Sequence, residues 1–557
     1  MPDRLSPSSP NHRHCSLWLL SCFPLEAFGN RIRVRRTLGA LRPCAGALLA
    51  PASIAILILS FCMARAGAKV VPGGLFTNGA VLQRDRPIPI WGTAAEGEKV
   101  TVTLRDRRAT TVAKGGKWAV RLPPMPAGGP YSLAITGHNQ IILKNILVGE
   151  VYLCSGQSNM EWPLALAANG PEAVQEARDP LLHLYIVPRG VSDTPVKEAA
   201  GDWQSCTPES ARGFSAVAYA FGRSLRRTLS APVGLIQSAW SATPAQAWTS
   251  RDALLANPEL APLVSAYEQD KAAYWKAVDA RDAALQKAPP DPKSRPLPGA
   301  PSDLPKVPAN PMRQSSPGVL YNSMIAPLIP YGIRGVIWYQ GESDTGAAYQ
   351  YRTLFPALIG NWRRDWKQGD FPFLFVQLAP FMGRREGPRE SAWAELRDAQ
   401  LLTSRTVANT GMAVITDLGD EIDLHPRDKQ TVGERLALLA RMLVYNQDVE
   451  ASGPIYDSMQ VEGDKIVLHF QHIGGGLEAR GGQNLADFTI AGEDAAFFAA
   501  AAVIRGDTVV VSAPQVAHPV AVRYGWADYP QGNLWNKAGL PASPFRTDTF
   551  PLTTQPK

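Results

Sequence analysis

The stretch that decides the fold is "GEVYLCSGQSNMEWPL", residues 149–164. Its first half, Val151 to Cys154, is apolar and strand-like. It then breaks off into the small polar residues Ser155-Gly156-Gln157-Ser158-Asn159. A short, unbroken apolar run bounded by turn residues fits a strand buried on both faces, as in a parallel sheet sandwiched between helices. In open sheets of that kind, ligands bind beyond the carboxyl ends of the strands. Ser158 is therefore placed to face a cleft, and it is the candidate nucleophile. The plainer reading is that Ser158 only caps the helix that follows.

Strands and helices alternate on either side of this stretch. "LHLYIVP" (182–188), "VGLIQSA" (233–239), "RGVIWYQ" (334–340), "FLFVQLA" (373–379) and "MAVITDL" (412–418) read as further buried strands. "AVAYAFGRSLRRTL" (216–229), "YRTLFPALIGNWRRDW" (351–366) and "SAWAELRDAQLLTSR" (391–405) read as helices. A last helix carries Val432, Leu436, Leu439 and Leu443 at helical spacing. The pattern predicts an α/β domain over 146–450, its parallel sheet covered on both faces. Residues 251–318 interrupt it with a charged helical half and a Pro-rich half. Residues 69–145 and 451–557 contain short β-branched and aromatic runs parted by turn signals, such as "KVTVTLR" and "TVVVSA". They predict flanking all-β regions, sandwich or jelly-roll-like.

The N-terminus reads as a targeting segment. "RIRVRR" (31–36) is a cationic region, "AGALLAPASIAILILSF" (45–61) an apolar one, and Ala66-Gly67-Ala68 fits a cleavage site. Residues 1–68 are expected to be a signal peptide behind an over-extended start, leaving an exported protein, periplasmic or extracellular. A membrane anchor is the competing reading of the apolar run. The formal charge of +7 belongs mostly to this segment, which holds eight Arg against one Asp and one Glu. The body of the protein is nearly neutral, which argues against nucleic acid as a partner. Four of the six cysteines also lie there, leaving Cys154 and Cys206. One disulfide between them is compatible with an exported protein, but Cys154, in an apolar strand, reads rather as a buried free thiol.

The polar residues collect where the strands end. Besides Ser158 there are "SAWSAT" (238–243), "QGESD" (340–344) and the acids around His425 in "DEIDLHP". Acyl transfer needs such a set. A serine hydroxyl becomes a nucleophile when a neighbouring base takes its proton. His425 is the candidate base, and an acid beside it would fix its tautomer. The developing oxyanion needs fixed donors, for which the Ser158 amide, an amide near Ser241 and the Gln340 side chain are candidates. No clustered Cys/His spacing suggests a metal.

"GQSNMEW", "AWTS", "LYNSMIAPL", "WYQGESD", "DLHPRDKQ" and "SPFRTD" occur in this order between about 75 and 550. Together they resemble the sialate O-acetylesterase family, a branch of the SGNH hydrolases. The resemblance implies a flavodoxin-like three-layer α/β/α catalytic domain, no metal or other cofactor, and removal of acetyl groups from sugar hydroxyls. It makes Ser158 the nucleophile, His425 the base and Gln340 the polar oxyanion donor. It also favours Asp423 over Asp420 as the acid, although a backbone carbonyl orienting His425 is also compatible. Asn159, Trp162 and Glu342 are expected at the substrate. Trp162, Trp248 and Trp535 are candidates for stacking on a sugar, with core packing as the plainer reading of each. The chain departs from the family at Ser241-Ala242-Thr243, where Gly-Gly-Thr is usual; added Cβ atoms there bear on the oxyanion site. The expected function is that of a secreted serine esterase acting on an acetylated carbohydrate, with no stable membrane association. The alternatives are a carbohydrate-binding protein whose esterase site has decayed and, on weaker grounds, a lipase-like SGNH hydrolase.

Overall fold

The computed structural model describes residues 69–287, 305–385, 387–482 and 484–556. The expected signal segment and most of the Pro-rich half of the insertion lie outside the described residues.

Six parallel strands form the central sheet: β1 (Gln140–Gly156), β2 (Asp179–Ile186), β3 (Val233–Ala239), β4 (Gly335–Tyr339), β5 (Phe373–Val376) and β6 (Thr410–Ala413). Their spatial order is β2-β3-β1-β4-β5-β6, with the antiparallel strand Gln204–Cys206 beyond β2. Leaving aside β2, the order of the remaining five is 2-1-3-4-5, the flavodoxin-like arrangement. Four principal helices cover it: α1 (Ala216–Leu229), α2 (Ala348–Trp366), α3 (Ala392–Thr406) and α4 (Lys429–Leu443).

Strand alternation sorts the side chains between the two faces. Tyr152 and Cys154 of β1, Leu235 of β3, Ile337 of β4 and Leu374 of β5 pack with Phe221 of α1 and Val432 and Leu436 of α4. Val151, Leu153, Val336, Trp338 and Phe373 point the other way, into the cluster that holds Phe355 and Trp362 of α2 and Leu396 of α3. Both faces are therefore apolar, which is why these strands read as unbroken runs. α1 and α4 lie side by side. Gly433 permits this approach, since a Cβ there would stand 2.6 Å from Ala220 Cβ and from Val217 O.

β1 changes environment along its length. From Gln140 to Asn145 its residues are mostly exposed or half-buried, and they pair antiparallel with Gly128–Thr136. From Ile146 onward every residue is buried; the antiparallel pairing ends at Val148, and the strand joins the parallel sheet beside β3 from Glu150 and beside β4 from Tyr152. One strand thus serves the N-terminal β region and the α/β core, running through 145/146 without a break. The C-terminal region forms two four-stranded sheets and a two-stranded one. Arg397 of α3, fully buried, ties it to the core by donating to the carbonyls of Leu378, Ala379, Ala527 and Asp528. The helical half of the insertion forms Ala261–Lys287. The chain has the expected class: an α/β/α core with flanking all-β regions.

Where β1 enters the core, Glu150 is fully buried. Its carboxylate accepts from Arg334 Nε at 2.6 Å, Gln83 Nε2 at 3.1 Å and Arg84 Nε. Burial raises its pKa, but these partners, Arg334 foremost, outweigh it and hold the carboxylate below its usual range. The group therefore stabilises the fold above its unfolded pKa, and that contribution is lost as the pH falls through the lower folded value. Glu150→Gln is expected to cost about 3 kcal/mol at neutral pH, because it leaves Arg84 and Arg334 with the exposed Asp85 in place of a buried carboxylate. In urea titrations the difference from wild type should close at acid pH; a difference independent of pH would contradict this account.

Candidate functional site

The site lies at the switch point of the sheet, beyond the carboxyl end of β1, which is flanked by β3 on one side and β4 on the other. Gly156 closes β1 at φ +140°, and a Cβ there would lie 2.1 Å from Tyr339 O. Only glycine allows β1 and β4 to stay paired to their ends at this backbone angle. The chain then turns into the one-turn helix Ser158–Glu161, with Gln157 as its N-cap. Ser158 is half-buried between the buried Gln157 and Asn159. Its amide is the first of the helix, where an N–H has no partner within the helix itself.

Asn159 joins three loops. Its Nδ2 donates to Glu342 Oε1 and, at 3.0 Å, to the carbonyl of Leu424; its Oδ1 accepts from Lys429 Nζ. The side chain is wholly buried and its amide is fully used by the protein. The expectation that Asn159 meets the substrate is therefore corrected: it is a tie beneath the serine turn. The same turn carries Trp162, whose ring stacks on that of His425 with centroids 4.8 Å apart and planes 26° apart.

His425 follows directly after Leu424. Its Nδ1 lies 2.9 Å from Asp423 Oδ1, and its backbone N–H donates to the same oxygen at 2.9 Å. Asp420 plays another part, its Oδ1 accepting from the amides of Ile422 and Asp423 and so shaping the loop. Nε2 of His425 is buried and bonds to no protein atom, Ser158 included. Serine, histidine and aspartate thus share one end of the sheet. Hydrogen bonds of this kind often tighten only once substrate is bound.

Two of the three expected oxyanion donors are otherwise engaged. Gln340 is wholly buried; its Nε2 donates to Thr243 O at 3.2 Å and to Asp344, and its Oε1 accepts from Tyr351 at 3.0 Å. It braces the loops after β3 and β4 and has no donor left for a ligand. The Ser241 amide donates to Glu161 Oε2 at 2.9 Å, and the Ser241 hydroxyl donates to the same oxygen at 2.6 Å. Arg189 holds the other oxygen of Glu161, with Nε at 2.7 Å and Nη2 also in contact. Beside it, Ala242 adopts φ +57°, a left-handed angle that the usual glycine would take at no steric cost.

Sequence reasoning passed over Lys429, Glu161 and Arg189. Lys429 opens α4 and is wholly buried, its Nζ 5.8 Å from the centre of the Trp162 ring and 5.2 Å from that of Tyr339. Burial pushes its ammonium down to about 7, against the opposing pull of Glu342, Asp423 and Asp428. Glu342, expected at the substrate, is half-buried; Oε1 is held by Asn159, while Oε2 is buried without a partner. Burial raises its pKa, against its own backbone, Asn159, Lys429 and His425. Asp344, buried beside it, is pushed up to about 6 by desolvation. Trp248 is wholly buried against Trp338, and Trp535 is packed under Arg480. Both belong to the core, leaving Trp162 as the one of the three candidates at the site. Cys154 and Cys206 are buried free thiols. Among the described residues, no group of three His, Cys, Asp or Glu is placed to hold a metal ion.

Residues 311–441 match the family model "Carbohydrate esterase, sialic acid-specific acetylesterase". The chain is 31% identical to the sialate O-acetylesterase of Homo sapiens over 436 residues, covering 71% of this chain and 75% of that one. Against the Rattus norvegicus sialate O-acetylesterase it is 32% identical over 431 residues, covering 68% and 74%. Among solved structures it resembles a carbohydrate acetylesterase from Xanthomonas citri, with 38% identity and a TM-score of 0.73, covering 86% of this chain and all of that one.

The buried ammonium has a measurable signature. Between about pH 7 and 10.5 the folded protein has released the Lys429 proton while the unfolded chain still holds it. Stability therefore rises with pH through that window. Wild type should gain on Lys429→Met by up to about 5 kcal/mol from pH 6 to pH 10.5. Paired urea midpoints at the two pH values test this; a constant gap between the proteins would refute it.

Proposed function

This chain belongs to the sialate O-acetylesterase family of carboxylic ester hydrolases, and we propose that it removes O-acetyl groups from a carbohydrate through an acyl-serine intermediate. The observation that carries this reading is the convergence of two loops far apart in sequence. Asn159 bonds the carbonyl before His425, and Trp162 stacks on His425 itself. The serine turn and the histidine loop are thus fixed to one another.

In this mechanism Ser158 Oγ attacks the acetyl carbonyl carbon and His425 Nε2 accepts the hydroxyl proton. Asp423 holds Nδ1–H, which sets the tautomer with Nε2 free to accept. The stacked Trp162 ring holds the plane of the imidazole in place. The tetrahedral oxyanion takes the Ser158 amide. On collapse the C–O bond to the sugar breaks, and His425 returns the proton to the departing sugar oxygen. Water, deprotonated by the same histidine, then attacks the acyl-serine; acetate leaves and Ser158 regains its hydrogen.

The reading extends to the remaining expectations. The substrate is an acetylated sugar, of sialic acid or of a plant polysaccharide. Residues 1–68 form a cleaved signal segment, and the mature protein works outside the cytoplasm. The catalytic domain spans 146–450, with β regions over 69–145 and 451–557. Among the described residues no helix is long and apolar enough to cross a membrane.

Ser158→Ala is expected to lower turnover of p-nitrophenyl acetate by at least about a thousandfold with an unchanged melting curve; an active variant would sink the acyl-serine reading. Asp423→Asn should lower kcat by about a hundredfold or more, with KM little altered, because the imidazole loses its tautomer control. A decrease confined to KM would remove Asp423 from the mechanism. Acetate release from acetylated sialic acid, xylan, xyloglucan and pectin would identify the sugar.

A further inference from the structure

We propose that Glu161 is a positioning residue that latches the second oxyanion donor, the Ser241 amide, and that catalysis requires its carboxylate to withdraw onto Arg189. The proposal rests on the acyl-serine reading above. It begins from a conflict in the geometry. The amide after β3 stands where the family pattern supplies an oxyanion donor, yet it donates to a carboxylate at 2.9 Å. An amide so engaged does not serve a second anion. The carboxylate also repels the charge that develops on the acetyl oxygen, most strongly where water is excluded.

The two grips on Glu161 differ in kind. Ser241 holds Oε2 from within, through its amide and through its hydroxyl at 2.6 Å. Arg189 holds Oε1 from the rim, its side chain 54% exposed and its guanidinium 5.8 Å from the centre of the Trp240 ring. Letting go of Ser241 would leave the carboxylate still paired, so it need not be stranded without a counter-charge. Glu161 ends the one-turn helix that begins with Ser158. Its withdrawal needs only side-chain rotation and leaves the nucleophile in place.

Ser241 is one of the chain's departures from the family motif. A glycine there would offer Glu161 the amide alone. The serine adds a hydroxyl bond to a charged acceptor, a stronger bond than one between neutral groups. The hydroxyl therefore strengthens the latch, while the amide remains the donor that the reaction uses. It follows that removing the hydroxyl and removing the arginine should act in opposite directions.

Ser241→Ala keeps the amide and deletes the hydroxyl, and kcat/KM for p-nitrophenyl acetate should rise about tenfold, the weight of one hydrogen bond to a charged group. Arg189→Ala deletes the withdrawn position, and kcat/KM should fall about tenfold. A clamp that merely supports the loop predicts a loss in both variants, so an unchanged or lowered Ser241→Ala would overturn the proposal. The crystal structure of the wild type inhibited by diisopropyl fluorophosphate gives a second measure. The Ser241 amide should donate to the phosphoryl oxygen, with Glu161 on Arg189 alone; an adduct with Glu161 still on Ser241 would also overturn the latch. Failure of the inhibitor to label Ser158 would count against the acyl-serine reading instead, and the opposed kinetics of the two variants would still decide the latch.

Discussion

One primary amide organises the carboxyl end of this sheet. Asn159 presents its oxygen to a buried ammonium and its nitrogen to a carboxylate and a main-chain carbonyl. An amide can face a cation and an anion at once only when oxygen and nitrogen point in opposite directions. The Lys429–Glu342 couple therefore fixes its orientation. That orientation ties the turn after β1, the turn after β4 and the loop before α4 into one unit. Burying a lysine this way is costly. Here the cost is spread over two aromatic faces, an amide oxygen and the field of nearby carboxylates. What it yields is a nucleophile turn and a histidine loop that are held together before any substrate arrives.

Charge is managed similarly throughout the site. Four carboxylates, Glu161, Glu342, Asp344 and Asp423, lie in the segments that follow β1, β4 and β6. Each has its own partners. Glu161 takes Ser241 and Arg189, Glu342 takes Asn159, Asp344 takes Gln340 and the Ala245 amide, and Asp423 takes His425. Acidic residues that would repel a developing oxyanion are thus each bound to a donor. These pairings act beside the aromatic packing of Trp162 on His425.

Much of this was legible in the sequence. The strands were, because a sheet covered on both faces demands unbroken apolar runs, and β1, β3, β4 and β5 all have them. That Ser158, Asp423 and His425 gather at one end of the sheet was legible because they follow those runs in sequence. The hydrogen-bond commitments were not. Gln340 and Ser241 look like free donors in one dimension; Asp344 lies only four positions beyond Gln340, but Thr243 and Glu161 come into reach only when the loops fold over one another. Lys429 was passed over for a related reason. A lysine opening a helix ordinarily reads as solvated, and its burial depends on Trp162 and Tyr339, which lie in other segments.

The shared strand β1 carries a consequence for how the molecule came to be assembled. Its outer half belongs to an antiparallel meander and its inner half to the axis of the hydrolase, with no linker between the two. A recombination event that exchanged the meander would have to splice within a hydrogen-bonded ribbon and preserve its register on both sides. Such an accessory region shares its backbone ribbon with the core, more like a keel laid with the hull than a fitting bolted on later.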